Sequence, residues 1–200
     1  MVEIVQQEAP VLRAQAEPVN QKDFGSARLE KIIADMRASL EKEEDGVAIA
    51  APQIGVPLRI FVISHRAFEI RDEHEKGAPV PHTPTEHANN KKVFTDMVFI
   101  NPEITKLSRK KIWMPEGCLS VRWLYGEVSR SDKATVRAYD EQGKLFTRGG
   151  SGLIAQIFQH ETDHLDGTLF IDHARHLEKI TKEDQERMRH EDAVHHHVHQ

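Results

Sequence analysis

The sequence predicts an α+β fold in which sheets wrap around one buried central helix. Segments with strand character, rich in β-branched and aromatic residues, occupy the middle of the 200-residue chain. One unusually apolar helix follows them, over residues 151–167, as is typical of a helix buried against a sheet. Helices and strands do not alternate regularly along the chain, which argues against a doubly wound parallel sheet.

The N-terminal part contains one amphipathic helix and one strand. Residues 1–22 are of mixed composition with two prolines, and we expect irregular chain there. From Asp23 onward, apolar residues recur at helical spacing until Gly46, which predicts a helix with one face against the core. The segment 59–64 predicts a buried strand, because it is rich in β-branched and aromatic residues.

The middle of the chain is predicted to contain an insertion and several strands. Residues 65–95 are acidic, contain histidines and carry three prolines, which favours a surface insertion or a long loop. Residues 98–100 predict a strand that ends at Asn101 and Pro102. Between 123 and 149, apolar residues alternate with polar ones on both sides of a turn, which predicts a hairpin.

The C-terminal part begins with the apolar helix over 151–167. A short strand over 168–171 and a polar helix over 177–188 are predicted to follow. The chain is therefore divided into a main domain over 1–176, with its insertion, and a segment over 177–200 that holds the polar helix and a histidine-rich tail.

The composition excludes several classes of protein. There are 32 acidic and 27 basic residues, a net charge of -5, which argues against a dedicated nucleic-acid binder. No apolar run is long enough to span a bilayer, and the first residues do not have the pattern of a secretory signal. Cys118 is the only cysteine, which excludes a disulfide within the chain and fits a reducing compartment such as the cytoplasm.

The apolar helix carries an HExxH motif. His160 and His164 lie one helical turn apart on one face, so both imidazoles can bind one metal ion. Glu161 follows the first histidine and can take a proton from an activated water. The alternative is a helix with two ordinary core or surface histidines, but three polar side chains on a buried helix need a partner.

Two histidines leave the metal short of a ligand. A third histidine of the metzincin type is excluded, because Phe170 stands at its position. A downstream carboxylate is possible, and the candidates lie in a very polar segment: Glu178, Glu183 and Asp184. The other candidate is upstream, Cys118, whose thiolate with two imidazoles would leave a fourth position open. A lone cysteine is nevertheless often a small core residue.

Three segments resemble the peptide deformylase family: GVAIAAPQ at 46–53, EGCLS at 116–120 and QHETDHLDG at 159–167. They occur in the family's order, and the resemblance covers roughly residues 5–175. It implies an α+β fold with sheets around the HExxH helix. It also implies hydrolysis of the N-formyl group from the initiator methionine of nascent proteins, with release of formate. The family typically uses Fe²⁺ and accepts Zn²⁺, Ni²⁺ or Co²⁺.

The resemblance also implies a role for each residue of these motifs. Glu161 would be the general base and acid, and Gln53 and the backbone N–H of Leu119 would stabilise the oxyanion. Three residues would be metal ligands: Cys118, His160 and His164. Seven residues would bind the substrate: Gly46, Val47, Ala48, Met114, Gly117, Leu153 and Ile157. The apolar members resemble the family's pocket for the methionine side chain, with plain core packing as the alternative.

The sequence departs from the family pattern at three places. Ala48 replaces the second glycine of the first motif, and Val121, Arg122 and Trp123 follow EGCLS where the family often has an apolar residue and Pro-Gly. Gln156 is polar where the family is usually apolar. These departures bear on specificity and rate more than on metal binding. Arg130 matches a family arginine that we interpret as structural.

Other functions remain compatible with these residues. The alternatives are a zinc endopeptidase of the HExxH type and a binding protein that kept the fold but lost catalysis. For the deformylase, the expected partner is the formyl-Met end of a nascent peptide, with the ribosome near its exit tunnel as a further possible partner. No nucleic-acid motif and no membrane partner are expected, and the location expected is a bacterial-type cytoplasm.

Overall fold

The computed structural model describes residues 2–74, 94–181 and 184. Its helices are α1 (Ala27–Glu41), α2 (His65–His74) and α3 (Gly152–Leu165). Its strands are β1 (Ala48–Ala50), β2 (Ile60–Ile63), β3 (Met97–Leu107), β4 (Lys111–Gly117), β5 (Leu124–Ser131), β6 (Lys133–Tyr139), β7 (Leu145–Ser151) and β8 (Arg175–Lys179). Within the described ranges, none of the helices is both long enough and apolar enough to cross a bilayer.

The strands form two antiparallel sheets, which confirms the predicted α+β class. One sheet has five strands in the order β1-β2-β3-β6-β7, and the other has three in the order β4-β5-β8. The three-stranded sheet covers a small apolar cluster of its own, formed by Leu12, Val121, Val128, Leu169 and Phe170. The loop between β4 and β5, which contains Cys118, contributes Val121 to this cluster and Leu119 to the cluster around α1.

The five-stranded sheet is packed by α1 on one face and by α3 on the other, and its strands β1 and β2 are buried throughout. β2 shows this directly, because Ile60 and Val62 pack with α1 while Phe61 and Ile63 pack with α3. On the α3 side, the ring of Phe61 stacks on Phe99 at 4.6 Å between centroids. Full burial of one such side chain contributes ~1.5–3 kcal/mol, so this two-sided core fixes α3 firmly.

Helix α1 begins later than predicted. A 3₁₀ turn occupies Gln21–Asp23, and Ser26 then caps the helix, its Oγ accepting a hydrogen bond from Leu29 N at 3.2 Å. The apolar stripe itself is as predicted, and its buried members are Leu29, Ile33, Met36 and Leu40. The serine cap decides the start because it satisfies an N–H group that has no partner inside the helix.

Strand β3 continues past the predicted end at Asn101 and Pro102. Asn101 adopts a φ of 50°, and its side-chain amide pairs with both backbone groups of Val19, at 2.7 and 2.8 Å. The register is irregular there and resumes at Glu103 opposite Arg137. The Asn-Pro pair therefore marks a β-bulge rather than the end of the strand, because tertiary partners replace the interrupted ladder.

Two further predictions are wrong in part. The insertion predicted over 65–95 as a loop begins with helix α2, and residues 75–93 lie outside the described part of the chain. The strand predicted over 168–171 is a 3₁₀ turn over Phe170–Asp172. In that turn, Asp172 Oδ2 accepts a hydrogen bond from Leu169 N at 2.9 Å, which stabilises a turn over an extended strand.

The C-terminal polar helix predicted over 177–188 is also wrong at its start. Residues 177–179 belong to β8, which pairs with β5 through Leu124 opposite Lys179 and Tyr125 opposite Glu178. The unpaired edge of β5 offers backbone hydrogen bonds that outweigh the local helical preference. The boundary placed at 176 falls inside this strand. Of the remainder, residues 182–183 and 185–200 lie outside the described residues.

Candidate active site

The three side chains of the expected metal centre converge on one point. His160 and His164 lie on consecutive turns of α3, and Cys118 reaches them from the loop after β4. Cys118 Sγ lies 3.1 Å from His164 Nε2, and the ligand atoms of all three residues lie within 4.8 Å of one another. In the described chain, this is the one group of three or more possible ligands that meets this spacing.

The downstream carboxylates do not join this group. Glu178 lies on the exposed edge strand β8, and Asp184 accepts hydrogen bonds from the backbone N–H and the hydroxyl of Thr181. Glu183 lies outside the described residues. Of the two candidates for a third ligand, the structure therefore brings Cys118 to the histidine pair.

The donor set fits a divalent transition metal. Burial raises the pKa of the Cys118 thiol, but the positive charge on His164 and hydrogen bonds from both histidines outweigh it and lower the pKa from 9.0 to about 5. The thiolate is the form that binds metal, and one sulfur with two imidazole nitrogens is a set that suits zinc and iron. Nδ1 of His160 bonds to Glu116, which leaves Nε2 to face the centre.

Glu161 lies beside the three ligands and has a buried carboxylate oxygen, Oε2, without a hydrogen-bond partner among the described residues. Burial raises the pKa of Glu161 to about 7 from 4.5, against the opposing charges of His160 and His164. A carboxylate with a pKa near neutrality can both accept and release a proton under ordinary conditions.

Two hydrogen-bond donors lie beside Cys118: Nε2 of Gln53 and the backbone N–H of Leu119. The side chain of Gln53 is fixed by Ala50 N, which donates to Oε1 at 2.8 Å, and Nε2 donates to Ser120 Oγ at 3.2 Å and to Cys118 Sγ at 3.5 Å. The backbone N–H of Leu119 donates no hydrogen bond within the described part of the chain. The N–H of Leu119 can therefore donate to an oxygen that approaches Cys118, and Nε2 of Gln53 can do so by giving up its long contact with Cys118 Sγ.

A cavity of about 280 Å³ is lined by most of the residues described so far: Gln53, Cys118, Leu119, His160 and Glu161. One wall runs from Asp45 to Ala48, the opposite wall runs from Pro115 to Leu119, and α3 contributes Leu153, Gln156 and Ile157. Six of the seven predicted substrate-binding residues line it. Met114 is not in the lining, where its neighbour Pro115 is found.

Both predicted glycines stand where a side chain has no room. A Cβ on Gly117 would lie 2.6 Å from the ring of Tyr125, its partner on the neighbouring strand, and a Cβ on Gly46 would lie 2.9 Å from Leu40 Cδ1 and 3.3 Å from Leu119 Cδ1. A side chain at Gly117 would displace Tyr125, and one at Gly46 would press on Leu119 of the other wall. The backbone of each wall therefore reaches the cavity directly.

A family model described as polypeptide deformylase matches residues 1–180 of the chain. The chain belongs to this family. Peptide deformylase 1A, chloroplastic/mitochondrial, of Arabidopsis thaliana is 41% identical over 172 residues, which cover 85% of this chain and 60% of the relative. A peptide deformylase of Mesorhizobium japonicum is 38% identical over 170 residues, 85% of this chain and 82% of the relative. The chain thus spans about three fifths of the plant relative.

Solved deformylase structures share the fold. The class I type b peptide deformylase of Acinetobacter baumannii, solved with Met-Ala-Ser bound, is 28% identical with a TM-score of 0.68, and the match covers 86% of this chain and 98% of that one. The peptide deformylase of Thermotoga maritima is 31% identical with a TM-score of 0.68, over 88% of this chain and 98% of that one. The family implies a divalent metal, and the donor set described above fits one.

The deformylase site has a supporting carboxylate to which the sequence analysis gave no role. Glu116 accepts a hydrogen bond from His160 Nδ1 at 3.0 Å and two from Arg130, at 2.7 and 3.0 Å. Burial alone would raise the pKa of Glu116, but hydrogen bonds from His160 and Arg130 lower it to about 2. Arg130 also donates to Asp163 at 2.6 Å. A carboxylate bound to the second nitrogen of a ligating histidine orients the imidazole ring. The sequence feature that could have identified Glu116 was its place in the EGCLS motif.

Proposed function

We propose that this deformylase-family chain hydrolyses the N-formyl group from the initiator methionine of nascent proteins, releasing formate and a free amino terminus. The observation that supports this most directly is the convergence of Cys118, His160 and His164 beside the buried carboxylate of Glu161, at a cavity that Cys118, His160 and Glu161 line. The Acinetobacter baumannii relative binds Met-Ala-Ser, and another of its structures holds actinonin.

The metal centre supplies the electrophilic part of the chemistry. A divalent ion bound by Cys118, His160 and His164 would act as a Lewis acid and lower the pKa of a water molecule. We propose Fe²⁺ as the native ion, with Zn²⁺, Ni²⁺ or Co²⁺ as possible substitutes. Glu116 holds the His160 ring through its Nδ1, so the ring keeps its orientation during turnover.

Glu161 would move the proton. Its free Oε2 and its raised pKa allow it to accept a proton from the attacking water and to give that proton to the leaving amine. This proton is needed because the nitrogen is a poor leaving group unless it is protonated. Glu161 can serve in both directions since it is not one of the three converging ligands.

Gln53 and Leu119 would stabilise the negative charge that develops on the formyl oxygen. Nε2 of Gln53 lies 3.5 Å from Cys118 Sγ, and the backbone N–H of Leu119 belongs to the next residue in the chain. Because they are positioned before the substrate binds, they favour the transition state over the ground state. Removing one such donor typically raises the barrier by ~2.7–4 kcal/mol.

The cavity walls would bind the peptide. The backbone of Gly46, Val47 and Ala48 can pair with an extended peptide as an added strand would, with Gly117 on the opposite side. Val47, Leu153 and Ile157, which line the cavity, would surround the methionine side chain. The catalytic unit we propose is therefore the segment 1–176 together with the rest of β8.

We also propose a bacterial-type cytoplasmic location and action on peptides as they leave the ribosome. The single cysteine fits a reducing compartment, and the bacterial relatives support the first point. Co-sedimentation of the protein with ribosomes tests the second, and a protein that stays in the supernatant would contradict it.

Formate release from formyl-Met-Ala-Ser tests the proposed function. The metal-loaded protein, kept free of oxygen, should release one formate per peptide and leave the internal bonds intact. Glu161→Gln should bind the metal normally and turn over at least about 1,000-fold more slowly, because the proton acceptor is lost. Cleavage of internal bonds would favour the endopeptidase, and metal binding without any turnover would favour the binding protein.

A further inference from the structure

An ion-pair bridge spans the mouth of the cavity. The guanidinium of Arg122 pairs with Asp45, with Nη1 at 3.0 Å from Oδ2 and 3.3 Å from Oδ1, and with the carboxylate of Glu43 through Nη2. Asp45 and Arg122 themselves line the cavity. The three side chains are only 21–32% exposed, so water screens the bridge less than it would screen an exposed pair.

The bridge joins the two walls between which the peptide would lie. Glu43 and Asp45 precede the wall formed by residues 45–48, and Arg122 ends the loop that carries Cys118. The walls already approach each other beside the bridge, since a Cβ on Gly46 would be 3.3 Å from Leu119 Cδ1. The separation of the walls is thus fixed on the mouth side by Arg122.

The loop is held from behind as well. Gln6 Nε2 donates to the carbonyl of Leu119 at 3.1 Å, and the backbone N–H of Arg122 donates to Gln6 Oε1 at 3.4 Å. Without the guanidinium of Arg122, the loop would keep its hydrogen bonds to Gln6 and lose its ion pairs with Glu43 and Asp45. Glu43 and Asp45 belong to the same wall, so loss of the cation would remove their attraction to the loop and leave the mouth free to widen.

We propose that Arg122 is a positioning residue that sets the width of the cleft for the residues after the formyl-methionine. The proposal rests on the proposed function, because it concerns how that peptide binds. A cleft held at the right width avoids an ordering cost on binding, so losing the bridge should weaken peptide binding. His160 and Glu161 lie on α3, and the loop that carries Cys118 keeps its hydrogen bonds to Gln6, so the chemical step should be little affected.

Steady-state kinetics with formyl-Met-Ala-Ser test this proposal. Arg122→Gln should raise KM about fivefold and leave kcat within about twofold and metal content unchanged, since uniform binding is lost. Arg122→Lys should fall between it and the original protein, because an ammonium group pairs with one carboxylate but not with two in the same geometry. The matched control is Arg137→Gln, which breaks an exposed pair with Glu103 away from the cavity and should change neither constant.

Each other outcome has a definite meaning. Unchanged KM in Arg122→Gln, or a fall in kcat or metal content with KM unchanged, would overturn the proposal. If the original protein does not hydrolyse the peptide, the proposed function fails and the affinities for Met-Ala-Ser, measured by calorimetry, decide the role of Arg122. Weaker affinity in Arg122→Gln than in Arg137→Gln would still support the bridge, and equal affinity would refute it.

Discussion

Replacing Glu116 with glutamine removes one charge from the interior and leaves the shape of the side chain almost unchanged. The side chain of Glu116 is 2% exposed, and its two oxygens accept from four N–H groups. Oε1 receives Arg130 Nε and Gln156 Nε2, while Oε2 receives Arg130 Nη2 and His160 Nδ1. The amide NH₂ of a glutamine cannot accept a hydrogen bond, so in either orientation it faces two donors.

The expected cost follows from these contacts. Breaking a buried ion pair by removing one partner destabilises a protein by ~3–5 kcal/mol. Glutamine keeps one acceptor, and Arg130 keeps Asp163 at 2.6 Å, so the loss in free energy of unfolding should be near the lower end of that range. Loss of the group that orients a ligating histidine should also weaken metal binding by ~10–100-fold.

Urea unfolding of the metal-free protein and competitive Zn²⁺ titration against a chelator measure the two effects separately. The matched control is Glu127→Gln, an exposed glutamate that pairs with Arg175 and His176 at 3.0 and 3.1 Å. This control should change stability far less than Glu116→Gln and leave Zn²⁺ affinity unchanged, because water screens an exposed ion pair. If Glu116→Gln behaved like Glu127→Gln in both assays, the orienting role of Glu116 would be refuted.

Three further outcomes are expected. Cys118→Ser should lose most of its bound metal, since a hydroxyl is a far weaker ligand than a thiolate; full metal content by mass spectrometry would contradict this. Ala48→Gly should lower KM for formyl-Met-Ala-Ser up to about threefold, because a buried methyl group leaves the cavity wall; a higher KM would show that the methyl group helps binding. Burial tends to raise the pKa of Asp172, but hydrogen bonds from Arg13 and from the backbone N–H of Leu169 outweigh it and lower that pKa. Asp172→Asn should therefore cost ~0.2–1 kcal/mol at pH 7, and this difference should shrink as the pH falls below ~4 and vanish below the lowered pKa of Asp172; urea unfolding over this pH range would detect a constant difference.

The parts of the fold that follow local rules were predictable from the sequence. The helix that carries His160 and His164 is apolar on most sides, and the stripe of α1 has clear helical spacing. β8 was not predictable, because all five of its residues are exposed and its existence depends on the free edge of β5. The bulge at Asn101 likewise depends on Val19, which is distant in sequence.

The same division applies to the candidate site. The HExxH spacing is a property of one helix, so the histidine pair could be expected without any knowledge of the fold. The contacts of Glu116 with His160 and of Arg122 with Asp45 join different segments of the chain. They depend on how β4 and the loop after it pack on the rest of the molecule, which no local pattern encodes. The resemblance to the family identified Cys118 because it compares whole motifs.

The ligands of the centre come from two supports of unequal stiffness. Both histidines belong to a helix packed against the core, whereas Cys118 belongs to a loop without helix or strand structure, in which Ser120 N donates to its sulfur at 3.4 Å and Val121 N to its carbonyl at 3.1 Å. Part of the free energy of metal binding is therefore spent on ordering this loop. In amide hydrogen exchange, chelation should release the amides of Ser120 and Val121 first, while those of α3 remain protected to the level of global unfolding.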